Sequence, residues 1–301
     1  MKKIDLHVHS TFSDGTDTPK QLVKLAYESS LCAMALTDHD TTKGINEAIE
    51  AVKEYNYSSF EIVPGVELST QYTCEDFSRE IHIVGLYIDH NNKNFNDELE
   101  RQRQLRINKN KLMCDKFLEL GMDVTFKEMS ETYKGSVITR AHFADIIVKK
   151  GYVKNRKEAF DKYLSEGRPC FVARQKIDSK DAVKMIHDAG GTAILAHPML
   201  YNMTAGQLYI LIDYLKRERL DGIEALYSTY TPNDELIVKD IAKNKGLIIS
   251  GGSDYHGKNK PDIKLGTGMG HLSIPVKVLD DIKKYRKSDA TLSSVHPQPG
   301  R

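Results

Sequence analysis

A chain of 301 residues, with 43 Lys+Arg against 42 Asp+Glu, 40% hydrophobic residues and no Trp, has the length of one large α/β barrel or two ordinary domains. Its formal charge of +1 excludes a bulk field that would draw in nucleic acid or an anionic membrane, so any recognition of phosphate must be local. No apolar run approaches the roughly 20 residues of a membrane helix, Met1 to His9 lacks the layout of a secretory signal, and Cys32, Cys74, Cys114 and Cys170 are scattered without a CxxC pair. A soluble cytoplasmic protein with reduced thiols, and with no protein partner evident, is expected.

Strand patterns recur at Ile4–Val8, Ala33–Leu36, Phe60–Val63, Ile81–Ile88, Thr192–Leu195, Gly222–Leu226 and Leu247–Ser250. Helical patterns separate most of them. Thr18–Ser30 opens on an N-cap Thr followed by Pro19 and places Leu22, Leu25 and Ala26 on one face. Similar amphipathic segments span Thr42–Tyr55, Ser179–Ala189 and Asn233–Asn244. Buried strands alternating with helices predict parallel βα units arranged as a barrel or a wound sheet.

The alternation breaks near Asn94. From there to Gly167 helical patterns dominate: one long helix over Asp97–Leu120 ending at Gly121, then Arg140–Lys150 and Arg156–Ser165. The expected organisation is a first barrel part over residues 1–93, a helical insertion, or cap, over 94–167, a second barrel part over 168–287, and a flexible polar tail over 288–301.

The chemistry-bearing residues fall where strands end: His7 and His9, Asp38 and His39, Glu67, His197, Asp254 and His256. In a (β/α) barrel the C-terminal ends of parallel strands share one mouth, which would gather residues spread over most of the chain. Alternation along an extended segment sends both imidazoles of His7-Val8-His9 to one side. Imidazole nitrogen with carboxylate oxygen suits Zn, Mn or Fe better than Ca or Mg. A lone His at a strand end is more often a hydrogen-bonded packing residue than a ligand; the joint pattern reverses that weighting.

The sequence resembles the polymerase and histidinol phosphatase (PHP) family of metal-dependent phosphoesterases. The matching stretches are Asp5-Leu6-His7-Val8-His9-Ser10 with Asp14-Gly15, Leu36-Thr37-Asp38-His39-Asp40, Pro64-Gly65-Val66-Glu67, Ile81-His82-Ile83-Val84-Gly85, Leu195-Ala196-His197-Pro198 and Gly251-Gly252-Ser253-Asp254-Tyr255-His256. The resemblance implies an irregular (β/α)7 barrel with a small helical insertion domain, and three divalent ions. The first would take His7, His9, Glu67 and Asp254; the second Glu67, His82 and His197; the third Asp14, His39 and His256. Glu67 and Asp254 would be the bridging or orienting carboxylates. His82 departs from the strand-end rule, and Asp14 also reads as an ordinary Asp-Gly turn residue. Asp5 and Asp38 are expected to orient imidazoles from behind the ligands. Glu224 is expected to line the pocket, whereas His187, His90 and His271 read as structural.

Clustered divalent ions lower the pKa of bound water and supply hydroxide for phosphoester hydrolysis. Arg140 and His142, in Ile138-Thr139-Arg140-Ala141-His142, and Arg174, after the insertion, resemble the subgroup acting on nucleoside 3′,5′-bisphosphates and the 5′ ends of short RNA. A second substrate phosphate on Arg140 and Arg174 is the sharper expectation; Ala141 stands where that subgroup commonly has Pro. The basic run Arg101, Arg103, Arg106, Lys109, Lys111 reads mainly as a solvated helix face. Two rival readings are a phosphatase for another small phosphomonoester, such as histidinol phosphate, and a non-enzymatic metal-binding module.

Overall fold

The computed structural model describes residues 2–74, 77–133, 137–173 and 176–295, with side chains to residue 289. In chain order the elements are β1 (Lys3–Val8), α1 (Pro19–Glu28), β2 (Leu31–Leu36), α2 (Ile45–Glu54), β3 (Glu61–Thr73), β4 (Ser78–Leu86), α3 (Lys93–Glu119), α4 (Phe126–Thr132), α5 (Arg140–Lys149), α6 (Arg156–Ala159), β5 (Ile177–Asp178), α7 (Ser179–Asp188), β6 (Thr192–Leu195), α8 (Ala205–Lys216), β7 (Gly222–Tyr227), α9 (Pro232–Lys245), β8 (Ile248–Gly252), β9 (Ile274–Pro275) and α10 (Val276–Val295). A π-helical turn, Phe160–Leu164, continues α6. No described helix is long and apolar enough to cross a membrane.

The sheet runs β8-β7-β6-β4-β3-β2-β1-β9, with the two-residue β5 beside β3. Beyond its two-residue pairing with β9, the end of β1 meets the segment after β8: Val8 bridges Tyr255, and the Asp254 and His9 N–H groups donate to His7 and Tyr255 carbonyls at 2.8 and 3.0 Å. This closes a barrel and lays the segment after β8 against β1.

One expectation is corrected here. β4 is antiparallel to both β3 and β6, not part of a parallel βα series. β3 extends to Thr73 and β4 begins at Ser78, and such a connection has no room for the dozen or more residues of a parallel crossover. Reversing β4 sets the middle of that strand, at His82, opposite the middle of β3, so His82 reaches Glu67 although neither residue lies at a strand end.

Alternation sorts the wall residues into two apolar layers. Met34, Leu36, Val66, Leu68, Ile81 and Ile83 pack outward with Leu22, Val23, Ala48, Val183 and Ile186 of the surrounding helices. Ala33, Ala35, Val63, Val84, Leu86 and Ile194 form an inner cluster, joined by Leu272, Ile274, Leu279 and Ile282 from β9, α10 and the segment before them. The tail expected from residue 288 is helical to Val295 instead. Tyr285 donates to Asp221 at 2.7 Å and Arg219 pairs with Asp289 at 2.7 Å, which ties α10 to the barrel. Residues 296–301 lie outside those described.

A third cluster is built from Met113, Cys114 and Phe117 of α3, Met129 of α4, and Phe143, Ile146 and Ile147 of α5, with Leu164 and Cys170. Helix α3 joins both parts, since its Phe95 and Leu99 belong to the outer barrel layer. Arg101 and Arg103 pair with Glu98 and Glu100 one turn earlier at 2.7 and 2.5 Å, the solvated face the sequence suggested. Arg106 differs: it is half-buried and pairs with Asp40, the residue after His39.

Candidate metal centre

The mouth is built on β1. The His7 and His9 Nε2 atoms lie 3.1 Å apart, and each is 3.2 Å from Glu67 Oε2. Asp254 Oδ1 stands 3.3 Å from His9 Nε2 and 3.7 Å from His7 Nε2. These four residues place one donor atom each within 4.8 Å of one another. A Cβ at Gly252 would collide with the Cβ of His7, so only glycine lets β8 approach this closely.

Glu67 Oε1 meets His82 Nδ1 at 2.8 Å and His197 Nε2 at 2.9 Å, while Oε2 meets His39 Nδ1 at 3.1 Å. The compact second group is His39, Glu67 and His82; His197 meets the same Glu67 oxygen as His82. A third group joins His9, Asp14, His39 and His256, with Asp14 Oδ1 3.1 Å from His256 Nε2. The nine ligand candidates therefore converge, but His9 and His39 each belong to two groups rather than one.

The donors suit shared cations better than each other. Among the described residues, His39 Nδ1 and Asp14 Oδ1, each 3.1 Å from a neighbouring ligand-type atom, have no hydrogen-bond partner, and His197 Nδ1 is likewise buried without one. Groups of this kind are costly to bury unless an ion or another partner satisfies them. Buried imidazoles and carboxylates without a thiolate fit Mn, Fe or Zn. His197 and Asp254 also hold positive φ values of 27° and 56°, a backbone cost of about 1–3 kcal/mol each that is characteristic of functional positions.

Electrostatics bind the cluster together. Burial alone would raise the Glu67 carboxyl, yet the imidazoles of His39, His7 and His82 hold it well below the usual range. For His82, burial works against protonation, but Glu67 and Glu80 push the imidazole up to about 10. His9, opposed by burial in the same way, is raised to about 9 by Asp254 and Glu67. His39 moves the other way, to about 4, because burial outweighs its carboxylate neighbours.

Residues behind the ligands fix them. Glu224, expected to line the pocket, is buried with Oε1 on His7 Nδ1 at 2.8 Å and Oε2 accepting the His197 N–H at 2.7 Å; it orients two ligand candidates. Asp38 accepts the hydroxyls of Ser10 and Ser13, both at 2.6 Å, and Ser13 Oγ lies 3.4 Å from His9 Nδ1, so its influence on that imidazole passes through a serine. Asp5 meets no imidazole: it accepts the Ser253 and Gly266 N–H groups at 2.8 Å. The pairing of β1 with β2 shifts register between Asp5 and Val8, which interrupts the alternation that would have aligned Asp5 with His7.

The sequence reading missed three contributors. Tyr227 donates to Asp254 Oδ2 at 2.6 Å, and Lys260 Nζ lies 2.6 Å from the same oxygen. Asp40 accepts the Ser69 N–H at 2.9 Å, donates its own N–H to the Glu67 carbonyl at 3.0 Å and pairs with Arg106. Asp40 had a signal, its place in Thr37-Asp38-His39-Asp40. Lys260, in an irregular loop, had none.

From the helical part, the Val137 N–H donates to the Ser13 carbonyl at 2.7 Å, bringing the approach to α5 beside the loop that carries Asp14. Arg140 opens α5 with its guanidinium 5.6 Å from the centre of the Phe171 ring. His142 is buried, accepts the Thr139 N–H at Nδ1 and stacks on Tyr133 with ring centres 4.1 Å apart. Arg174 lies outside the described residues.

This arrangement agrees with the comparisons. A family model described as the PHP domain matches residues 5–171. The chain is 39% identical over 255 residues to a 5′-3′ exoribonuclease of Haemophilus influenzae, covering 85% of this chain and 90% of the other. It is 33% identical over 272 residues to a 3′,5′-nucleoside bisphosphate phosphatase of Chromobacterium violaceum, covering 90% and 92%. A solved structure described as a metal-dependent phosphoesterase from Bifidobacterium adolescentis superposes with a TM-score of 0.76 at 28% identity, covering 93% of this chain and 95% of that one. A His- and carboxylate-lined mouth on an irregular α/β barrel, matched by family model, sequence and fold alike, makes this chain a member of the PHP domain family of metal-dependent phosphoesterases.

Proposed function

We propose that this phosphoesterase acts on nucleotide-type substrates, releasing phosphate from nucleoside 3′,5′-bisphosphates or processing the 5′ ends of short RNA. The observation that carries the reading is the set of three overlapping donor groups joined through Glu67, His9 and His39, beside the Arg140 end of α5. The printed activities of the bacterial relatives support the substrate class.

Three divalent ions, Mn, Fe or Zn, would be held by His7, His9, Glu67 and Asp254, by His39, Glu67, His82 and His197, and by His9, Asp14, His39 and His256. When bound, such ions lower the pKa of water and neutralise phosphoryl charge. The chain's own residues do the rest. Glu67 spans the groups and fixes their spacing. Glu224 locks the rotation of His7 and the backbone at His197. The segment over 94–167 serves as a cap domain, in which Arg140, with Arg174 and His142, selects substrates bearing a second phosphate through charge-assisted contacts.

The test is a substrate panel with metal-reconstituted protein. Turnover of adenosine 3′,5′-bisphosphate is expected to exceed that of histidinol phosphate and of an aryl phosphate in kcat/KM. Equal values across the panel would refute the nucleotide assignment while leaving the phosphoesterase intact.

A further inference from the structure

The loop that follows β8 turns through Gly257–Asn259 and returns to the mouth at Lys260. There the two oxygens of Asp254 are divided. Oδ1 faces His9, His256 and His7 at 3.3, 3.4 and 3.7 Å, whereas Oδ2 receives the Tyr227 hydroxyl and the Lys260 ammonium, each at 2.6 Å. Oδ1 is thus the atom that would face an ion, while Oδ2 is engaged by two donors.

One donor would suffice to engage Oδ2. Tyr227 is buried and already supplies it, and His7, His9 and His256 surround the same carboxylate. Lys260 differs from Tyr227 in being 38% exposed while its partner Asp254 is 5% exposed. An ammonium has three N–H donors, and among the described residues Asp254 is the one side chain they meet. With the side chain partly exposed, the remaining donors are open to solvent or to a ligand. The ammonium sits beside Asp254, whose other oxygen faces His7, His9 and His256, so it stands next to the donor group of His7, His9, Glu67 and Asp254.

We propose that Lys260 is a substrate-contacting residue, its ammonium bridging Asp254 Oδ2 and an oxygen of the phosphoryl group being hydrolysed. A compact charge on a flexible stem suits this task, since it can follow the phosphoryl oxygens without a fixed planar fork. The inference rests on the mouth being the phosphate site and is independent of the nucleotide assignment.

The experiment compares metal-loaded wild type with Lys260→Met, Lys260→Gln and Lys260→Arg, using inorganic phosphate as the probe, and measures phosphate affinity by calorimetry, metal content by elemental analysis, and kcat and KM separately. Methionine and glutamine are expected to weaken phosphate binding roughly tenfold or more, the scale of a hydrogen bond to a charged group, with metal content unchanged, and arginine to recover most of the loss. Unchanged phosphate affinity in the Met and Gln variants would overturn the proposal, as would a loss that tracks bound metal, because Lys260 would then be only a counter-ion for Asp254. A wild-type enzyme without preference for the bisphosphate would sink the nucleotide reading, yet its phosphate affinity would still report on Lys260.

Discussion

The barrel mouth and the helical insertion solve opposite problems. At the mouth, polar groups are buried beside other polar groups, and many contacts join residues far apart in sequence, such as His197 with Glu67 and His7 with Glu224. In the insertion, an apolar cluster of Phe117, Phe143 and Ile147 sits beneath surface pairs that mostly join residues one helical turn apart, such as Lys157 with Asp161 and Lys162 with Glu158. Long-range polar contacts hold a geometry that the chain could not otherwise specify; a local apolar core holds a shape whose surface can vary. Under the function proposed above, the contrast corresponds to reaction at the barrel and selection at the insertion.

The strongest way to break that division is at Glu67. Because the carboxylate joins the donor groups, Glu67→Gln is expected to abolish turnover and strip metal from more than one position, read by elemental analysis on protein whose circular dichroism is unchanged; retained metal would undo its shared role. Next comes Phe143→Ala. Emptying a fully buried aromatic site in the insertion should cost about 3–5 kcal/mol, concentrated in α3 to α5 by hydrogen exchange, while metal content of the barrel stays at the wild-type value.

A smaller effect is expected from Arg140→Ala. Loss of one charge-assisted contact, roughly 1.5–3 kcal/mol, should raise KM for adenosine 3′,5′-bisphosphate tenfold or more and leave KM for an aryl phosphate unaltered; equal shifts would remove the second-phosphate role. The smallest concerns pH. Burial lowers the His142 imidazole below its ordinary value of 6.5, so the folded insertion favours the neutral ring. Its stabilising contribution is full above pH 6.5 and declines as pH falls below that value. Thermal unfolding of wild type should weaken over that acidic range more than that of His142→Gln, and parallel curves would contradict this.

The barrel was legible because the strand patterns from Ile4–Val8 to Leu247–Ser250 are apolar and bounded by turn residues, although β3 runs on to Thr73, well beyond its Phe60–Val63 pattern. What stayed hidden was direction: nothing in Ile81–Ile88 says that β4 runs backwards, since antiparallel pairing follows from the length of the connection to β3. Helix α10 escaped because its apolar residues, Leu279 and Ile282 among them, lie in a largely polar run, and part of its attachment depends on polar reach, as from Tyr285 to Asp221. Within the site, most ligand candidates stood out as residue types gathered at strand ends, whereas His82 and Asp14 came only with the family resemblance. Their supports did not, because Tyr227 and Lys260 acquire meaning only when β7 and the loop after β8 converge on Asp254.

Gly252 bears on how variation in this chain should be read. Position 252 carries no functional group, makes no side-chain bond and would pass any search for catalytic chemistry. Yet its backbone is pressed against His7 so closely that even alanine would displace a ligand candidate. An inactivating change can therefore arise by adding a single methyl group where the protein has none, and the tolerance of the site to substitution is set as much by this contact as by the imidazoles it protects.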